Sequence, residues 1–276
     1  MRKKMKIVLV LSLVMMLSII STVSVNAGSR ERVQITGSTT VLPVAQRAAE
    51  EFMNKYDITV SVRGGGSGTG ISALIDGRAD IADASRPMKK KELEIAKNKG
   101  VNPKEHIIAR DGIAVVINNN NPVDELTLDE VKKIFSGTIK NWKQVGGPDK
   151  GIVVVSRDSS SGTFEAFKEI ALDGNKYSKD ALRLGSNKAV SSTVARSPYA
   201  IGYIGMAYLS TRVKALAVDG VKPTMKAAGS GEYKIARPLF MYTDGEPTGN
   251  IKKFIDFVYS EEGQKIAREV GYVPVK

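Results

Sequence analysis

Three short turns combine glycine with serine or threonine, and each lies where a strand pattern gives way to a helix pattern. They cover residues 37–40, 64–70 and 159–163. A helix start exposes unpaired backbone N–H groups and the positive end of the helix dipole, glycine lets the backbone approach a ligand closely, and hydroxyl groups add donors. Ordinary helix capping is the alternative role. Three such turns in one chain favour a shared anionic ligand.

Two arginines follow predicted strands close to these turns. Arg86 comes directly after Ser85 at the end of the third predicted strand, and Arg157 leads from a predicted strand into the turn at 159–163. A guanidinium group offers a planar fork of N–H donors to a tetrahedral oxyanion. A surface salt bridge is the alternative role for either arginine.

Neither glycine-rich nucleotide motif is matched in full. The turn at 64–70 has the glycine spacing of a P-loop, but Ile71 stands where a lysine must reach the phosphates. A dinucleotide-binding pattern needs an acidic residue at a strand end, and the acid at that spacing, Glu92, falls inside a predicted helix. Nucleotide binding is therefore not predicted.

The residue types needed for catalysis or for a metal are missing or wrongly placed. The chain has no cysteine, and its one histidine, His106, is predicted to lie on the surface in a loop. The nucleophile patterns Gly-x-Ser-x-Gly and Ser-x-x-Lys do not occur. Asp80, Asp83 and Asp111 have no recognised metal-ligand spacing. The sequence thus predicts no catalytic residue, no metal site and no cofactor.

The N-terminal segment has the pattern of a secretory signal. Basic residues between positions 2 and 6 precede an apolar stretch from Ile7 to Ile20, and small residues suited to cleavage end at Ala27. Residues 1–27 are therefore predicted to be a signal peptide, which implies a secreted or periplasmic protein. An uncleaved anchor is the alternative, but the apolar stretch is shorter than the roughly 20 residues of a spanning helix.

The charge of the chain favours an anionic partner but not a nucleic acid. The formal net charge is +12, and a positive field attracts anions. The basic residues are mixed with acidic ones, as in segments 89–92 and 252–256, which is typical of solvated helix faces. We therefore predict no nucleic-acid partner.

The elements that must position the turns alternate between strand and helix from residue 32 onward, which predicts an α/β fold. Predicted strands cover residues 33–36, 58–62, 80–84, 113–117, 152–156, 201–204 and 238–242. Predicted helices cover residues 42–56, 71–76, 89–99, 128–135, a segment from 163 onward, and 250–270. The apolar run 113–117 lacks polar alternation, so we expect a strand covered on both faces. A second lobe is expected to begin at the asparagine-rich stretch 118–122.

With these features, the sequence resembles the substrate-binding proteins of bacterial and archaeal phosphate ABC importers. The resemblance covers nearly the whole chain after residue 27 and rests on residues 37–43, 66–68, 84–87, 111–115 and 157–163. It implies an α/β, two-lobed periplasmic-binding-protein fold with a hinge and a central ligand cleft. We place lobe I at residues 28–114 plus 238–276 and lobe II at residues 115–237, and we expect a monomer.

The resemblance also assigns candidate ligands for inorganic phosphate. It carries the family's phosphate loops onto Thr39, Thr40, Ser67, Arg157, Ser161, Gly162 and Thr163. Neighbouring residues complete the predicted ligand-binding set: Ser38, Ser85, Arg86 and Asp111. Some members of the family carry an aspartate where this chain has Arg86 or Ser159, so the identity of the site's carboxylate stays open.

A carboxylate acceptor would explain how such a site distinguishes phosphate from sulfate. Phosphate near neutral pH keeps a proton that sulfate lacks, and only an acceptor rewards that proton. Asp111 is our hypothesis for the acceptor. Asp83 and Asp158 are rivals, and all three could instead be structural partners of nearby arginines.

The predicted function is a receptor, not an enzyme, that captures phosphate and passes it to the membrane permease of an ABC importer. A receptor for sulfate or molybdate is the nearer alternative, and a secreted phosphoester hydrolase is the more distant one. The missing pair of nucleophile and base argues against the hydrolase.

Overall fold

Strands and helices alternate along the chain, as the hydrophobic pattern predicts. The structure is a computed structural model that describes residues 32–276, and the predicted signal segment 1–27 lies outside them. The first elements are β1 (Arg32–Gly37), α1 (Leu42–Lys55), β2 (Thr59–Gly64), α2 (Ser67–Ile75), β3 (Ile81–Ala84), α3 (Lys90–Asn98), β4 (Pro103–Asn118), β5 (Glu125–Leu126) and α4 (Leu128–Ser136). They are followed by β6 (Val153–Arg157), α5 (Gly162–Ala171), β7 (Leu182–Leu184), α6 (Asn187–Arg196), β8 (Ala200–Gly205), β9 (Val213–Ala215), β10 (Ala217–Val218), α7 (Met225–Ser230), β11 (Ala236–Asp244), α8 (Gly249–Tyr259), α9 (Glu261–Val270) and β12 (Val273–Pro274).

The order of the strands brings the hydroxyl-rich turns to common edges. The main sheet runs β2-β1-β3-β11-β4-β8-β6-β7, and β9 and β12 also pair with β4. Strand β1 is parallel to β2 and β3, so Gly37 is in register with Gly64 and with Asp83. Strand β6 is parallel to β7 and β8, and Arg157 is in register with Leu184. The carboxyl ends of parallel strands meet at one edge of a sheet, which is where ligands of open α/β sheets bind.

Strand β4 passes from one half of the molecule to the other. Its residues Ile108 and Ala109 pack in a core with α1, α8 and α9, whereas Ile113 packs with α4 and α5 in a different core. Antiparallel β11 runs beside the first part of β4, from Pro103 to Gly112. The fold is therefore the two-lobed α/β arrangement that was predicted, and two neighbouring strands lie where the lobes join.

The prediction that residues 113–117 form a strand covered on both faces is confirmed. Ile113, Val115 and Ile117 face the core that contains α4 and α5. Ala114 and Val116 face a second core, built with α6. The strand is longer than predicted, because its polar first part alternates between exposed and buried residues instead of being uniformly apolar.

Three local predictions are wrong. His106 lies within β4, is buried, and its Nε2 bonds Thr243 Oγ1 at 2.9 Å, so it is not a surface loop residue. Helix α2 starts at Ser67, inside the segment predicted as a turn. The turn ends at Gly66, which has a φ of 100° and is the N-cap of the helix. The predicted helix 250–270 is two helices, since the extended Ser260 interrupts it and caps α9 by accepting from Gly263 N at 3.2 Å.

Candidate anion-binding site

Every residue of the predicted ligand-binding set is buried. Polar side chains are seldom buried unless they are hydrogen-bonded or paired with a charge. The partners of these side chains therefore indicate whether they form one site or merely stabilise separate loops.

Loops at the ends of β1, β2 and β3 bring three serine hydroxyls together. Ser38 Oγ donates to Ser85 Oγ at 3.0 Å, and Ser85 N donates to Ser67 Oγ at 3.0 Å. Gly37 is needed at this point because a Cβ there would lie 2.1 Å from the carbonyl oxygen of Asp83. The close approach of β1 and β3 thus places hydroxyls from three distant segments at one edge of the sheet.

The turn after β6 combines helix capping with contacts to the other lobe. Ser161 Oγ accepts from Phe164 N at 3.2 Å and so caps α5. The carbonyl oxygen of the preceding residue, Ser160, accepts from Gly68 N at 2.9 Å. This turn therefore both caps a helix and takes part in the contacts between the lobes. By contrast, the N-caps of α1 and α2, Val41 and Gly66, make no side-chain cap bond.

The three turns meet between the lobes. Thr40 Oγ1 and Thr163 Oγ1 lie 2.8 Å apart, and Arg157 Nη2 donates to Thr39 Oγ1 at 3.1 Å. A Cβ built on Gly162 would lie 2.2 Å from Ser67 Oγ. The contacts join residues that are more than a hundred positions apart in sequence. The turns predicted from sequence therefore form a single cluster.

Arg157 is the strongest candidate for binding an anion. Its side chain is 1% exposed. Nε donates to Leu184 O at 3.1 Å, and Nη2 donates to Gly185 O at 3.0 Å as well as to Thr39. Nη1 is buried and has no hydrogen-bond partner among residues 32–276. A guanidinium nitrogen in that condition costs free energy unless an acceptor joins it, which fits an anionic ligand.

Arg86 has a different surrounding. Its Nη1 and Nη2 donate to the two carboxylate oxygens of Glu92 at 2.8 and 2.7 Å. Burial is the largest single influence on the pKa of Glu92 and raises it, but the hydrogen bonds from Arg86 and from Lys89 N together outweigh burial, so the pKa is lowered. The arrangement matches the salt-bridge alternative, and direct contact of Arg86 with a ligand stays a prediction.

Asp111 forms a buried charge pair with Arg237. Its Oδ2 accepts from Arg237 Nη2 at 3.1 Å, and its Oδ1 accepts from Met206 N at 2.9 Å. Burial raises the pKa of Asp111 to about 6, while the positive charge of Arg237 opposes the rise. Arg237 Nη2 also donates to Thr163 Oγ1 at 2.9 Å. Asp111 thus reaches the hydroxyl cluster through Arg237.

The rival carboxylates are placed less favourably. Burial raises the pKa of Asp83 well above its ordinary value, and its Oδ1 has no hydrogen-bond partner among residues 32–276. Asp158 accepts from Ser160 N at 2.8 Å and from Ser160 Oγ at 2.5 Å, so it shapes the turn after β6. Of the three carboxylates, Asp111 has the most direct hydrogen-bonded link to the hydroxyl cluster.

Four residues of the cluster were not predicted from the sequence. Asn187 Nδ2 donates to Thr40 Oγ1 at 3.0 Å, and the guanidinium group of Arg237 lies within hydrogen-bond distance of four members of the site. The hydroxyl of Tyr208 donates to Thr39 O at 2.5 Å, and the hydroxyl of Tyr272 donates to Thr40 O. The only available signal was the Ser186 that precedes Asn187, since a serine followed by a helix pattern marks a helix start.

Two other findings concern the described part of the chain. Residues 32–276 contain no group of three or more histidine, cysteine, aspartate or glutamate side chains placed to hold a metal ion. None of the helices within that range has the length and apolar character to cross a membrane.

The chain is similar to known phosphate-binding proteins. A model of the PBP superfamily domain matches residues 23–262. The phosphate-binding protein PstS of Bacillus subtilis is 40% identical over 247 residues, which cover 87% of this chain and 80% of that protein. Protein SphX of Synechococcus elongatus is 33% identical over 271 residues, which cover 91% of this chain and 80% of that protein.

Solved structures give the same result. A putative phosphate ABC transporter substrate-binding protein with bound phosphate, from Clostridium perfringens, has a TM-score of 0.83 and 40% identity and covers 89% of this chain and 100% of its own. An ABC-type phosphate transport receptor from Vibrio cholerae has a TM-score of 0.72 and 34% identity and covers 87% of this chain and 99% of its own.

Proposed function

This chain belongs to the PstS family of phosphate-binding proteins within the PBP superfamily, and from that premise we propose that it captures inorganic phosphate for an ABC importer. The observation that carries the proposal is the buried Arg157, whose Nη1 lacks a partner among residues 32–276 and whose Nη2 meets a hydroxyl from the opposite lobe. Hydroxyl donors and a guanidinium group that converge from two lobes replace the water shell of a small oxyanion.

We assign phosphate to the cluster formed by the predicted set. Thr39, Thr40, Ser67, Arg157 and the turn 161–163 come from the two lobes and supply the direct contacts. Arg86, held by Glu92, is the member of the predicted set with the least support from its surroundings.

Binding is proposed to close the lobes around β4 and β11 in a hinge motion. Lobe I comprises residues 28–114 plus 238–276, and lobe II comprises residues 115–237. The packing of Ala109 and Ile113 in different cores supports a crossing within residues 110–112, a few positions before the predicted boundary. Contacts such as Lys89 Nζ to Glu165 Oε1, at 2.7 Å, link the lobes near the site.

The binding is reversible and breaks no bond. The one histidine, His106, is engaged with Thr243 within lobe I, and the chain has no cysteine. We further propose that segment 1–27 exports the protein, that it acts outside the cytoplasm as a monomer with no nucleic-acid partner, and that a membrane permease receives the phosphate from the closed form.

Calorimetric titration with phosphate, sulfate and molybdate tests the ligand assignment. We expect tight, one-to-one binding of phosphate and binding of sulfate and molybdate that is weaker by about 100-fold or more, because each buried donor or acceptor left unpaired by the wrong anion costs affinity. A parallel assay with a phosphoester should give no turnover. Equal affinity for all three anions, or turnover of the ester, contradicts the proposal.

Gly162→Ala tests whether closure of the lobes is required. The new methyl group would lie 2.2 Å from Ser67 Oγ and 2.7 Å from Ser85 Oγ, across the boundary between the lobes. We expect phosphate affinity to fall by about 10- to 100-fold, since overpacking of this kind costs about 1–3 kcal/mol. Calorimetry measures the change. The matched control is Gly151→Ala, whose methyl group meets only Lys140 O at 3.9 Å; an effect of equal size in both variants would refute the role of closure.

A further inference from the structure

Asn187 is a fully buried amide at the first position of α6. Its Oδ1 accepts from Gly205 N at 3.2 Å. A backbone N–H can only donate, so this bond fixes which end of the amide is the oxygen. The Nδ2 group must therefore face the threonines, and it lies 3.3 Å from Thr39 Oγ1 and 3.0 Å from Thr40 Oγ1.

The amide donates one N–H to each of the two threonines. A hydroxyl oxygen has two lone pairs and one proton. Thr40 Oγ1 accepts from Asn187 Nδ2 and lies 2.8 Å from Thr163 Oγ1. Arg237 Nη2 has only two hydrogens, and its nearer acceptors are Thr163 Oγ1 at 2.9 Å and Asp111 Oδ2 at 3.1 Å. The Thr40–Thr163 bond can therefore run in either direction.

The role of the Thr39 hydroxyl is fixed by its two donors. Its Oγ1 accepts from Arg157 Nη2 and from Asn187 Nδ2, so both lone pairs are engaged. No acceptor for its proton is found among residues 32–276. That proton is left to an additional acceptor in the cluster.

We propose that Asn187 is a positioning residue that turns the hydroxyl proton of Thr39 toward the oxygens of bound phosphate. The inference rests on the proposed function and deepens it, since it names how a donor is oriented at that site. Without the Nδ2 group, one lone pair of Thr39 Oγ1 is free, and the hydroxyl can rotate away from the ligand. Asn187 then governs affinity without being required to touch phosphate.

Two variants of Asn187 separate orientation from simple packing. Asn187→Leu keeps the size of the side chain but removes both donors, and we expect phosphate affinity about 10-fold below that of the parent protein at every pH. Asn187→Asp presents a carboxylate that accepts from the threonines, and we expect a loss of about 100-fold at pH 8. On acidification the carboxyl group gains an O–H donor, so the phosphate affinity of Asn187→Asp, relative to that of the parent, should recover toward pH 5.

Calorimetric titration with phosphate from pH 5 to pH 8 measures these effects. The affinity of each variant is divided by the affinity of the parent at the same pH, so that the protonation of phosphate itself cancels. Asn119→Asp, on the exposed turn after β4, is the control for the added charge. A pH-independent ratio for Asn187→Asp, or affinity of Asn187→Leu equal to the parent's, overturns the inference. Failure of the parent to bind phosphate instead overturns the proposed function.

Thr40→Val provides a second route if the Asn187 variants do not fold. Valine has the shape of threonine but offers Asn187 Nδ2 no acceptor, so the amide is held less firmly against Thr39 and we expect about a 10-fold loss of phosphate affinity. Unchanged affinity of Thr40→Val contradicts the proposed orientation of the Thr39 hydroxyl.

Discussion

Replacing Arg157 by methionine is expected to lower phosphate affinity by about 1,000-fold. The guanidinium group is buried and donates to Thr39 and to the carbonyl oxygens of Leu184 and Gly185. Its free Nη1 supplies the positive donor that a dianion needs. Removing one partner of a buried, hydrogen-bonded charge pair costs about 2–5 kcal/mol or more, and 1,000-fold corresponds to about 4 kcal/mol. Calorimetric titration measures the loss.

Two other arginines serve as controls for this substitution. Arg183, on β7, is exposed and lies 5.8 Å from the centre of the Phe164 ring, so Arg183→Met should bind phosphate as the parent does. Arg86→Met tests the predicted ligand that is paired with Glu92, and we expect a loss of less than about 10-fold, because Nη1 and Nη2 of Arg86 already donate to that carboxylate. If Arg86→Met weakened binding as much as Arg157→Met, the assignment of roles would be wrong.

The second large effect concerns the pH dependence of stability in the Asp111→Asn variant. Burial raises the pKa of Asp111 to about 6 in the folded protein, against 3.8 for the ordinary group. Between these two values, the folded state binds more protons than the unfolded state, so the free energy of unfolding falls as pH rises. The contribution is fully present below pH 3.8 and is lost as pH rises through about 6.

Denaturant titration from pH 4 to pH 7 without phosphate measures this contribution. We expect the free energy of unfolding of the parent, minus that of Asp111→Asn, to decrease by about 2 kcal/mol across the range, which is most of the contribution of a shift of roughly two pKa units at 1.36 kcal/mol each. Asp124→Asn is the control, because Asp124 is exposed and its salt bridge with Lys214 lowers its pKa. A difference that stays constant with pH would show that burial does not shift the pKa of Asp111.

The same variant tests the hypothesis that Asp111 accepts the proton of bound phosphate. If it does, the ratio of phosphate affinity to sulfate affinity falls in Asp111→Asn, because the acceptor that rewards the proton is gone. An unchanged ratio removes Asp111 from that role and leaves it as the charge partner of Arg237.

The turns of the site could be predicted because each follows from a local pattern. Parallel strands separated by helices bring their carboxyl ends to one edge of a sheet, so the turns after Gly37, Gly64 and Arg157 could be expected to carry the ligands. Local patterns, however, do not state which polar side chain pairs with which.

The residues that were missed depend on pairings far apart in the sequence. Arg237 meets Asp111 across 126 positions and Thr163 across 74, and nothing in the local sequence marks either contact. Asn187 starts a helix that is rich in serine and β-branched residues, which are weak helix formers. For Arg86 the pairing is local: Glu92 lies only six positions away and accepts from both terminal nitrogens of the guanidinium group. This partner was not predicted from the sequence.

A structure determined from crystals of this protein grown with phosphate would test most directly the claim that the cluster around Arg157 binds phosphate. The account predicts electron density for one tetrahedral anion that contacts Arg157 Nη1 and the loops at Thr39, Ser67 and Ser161. An anion bound only at the surface, or at a place where Arg157 is out of reach, would contradict it.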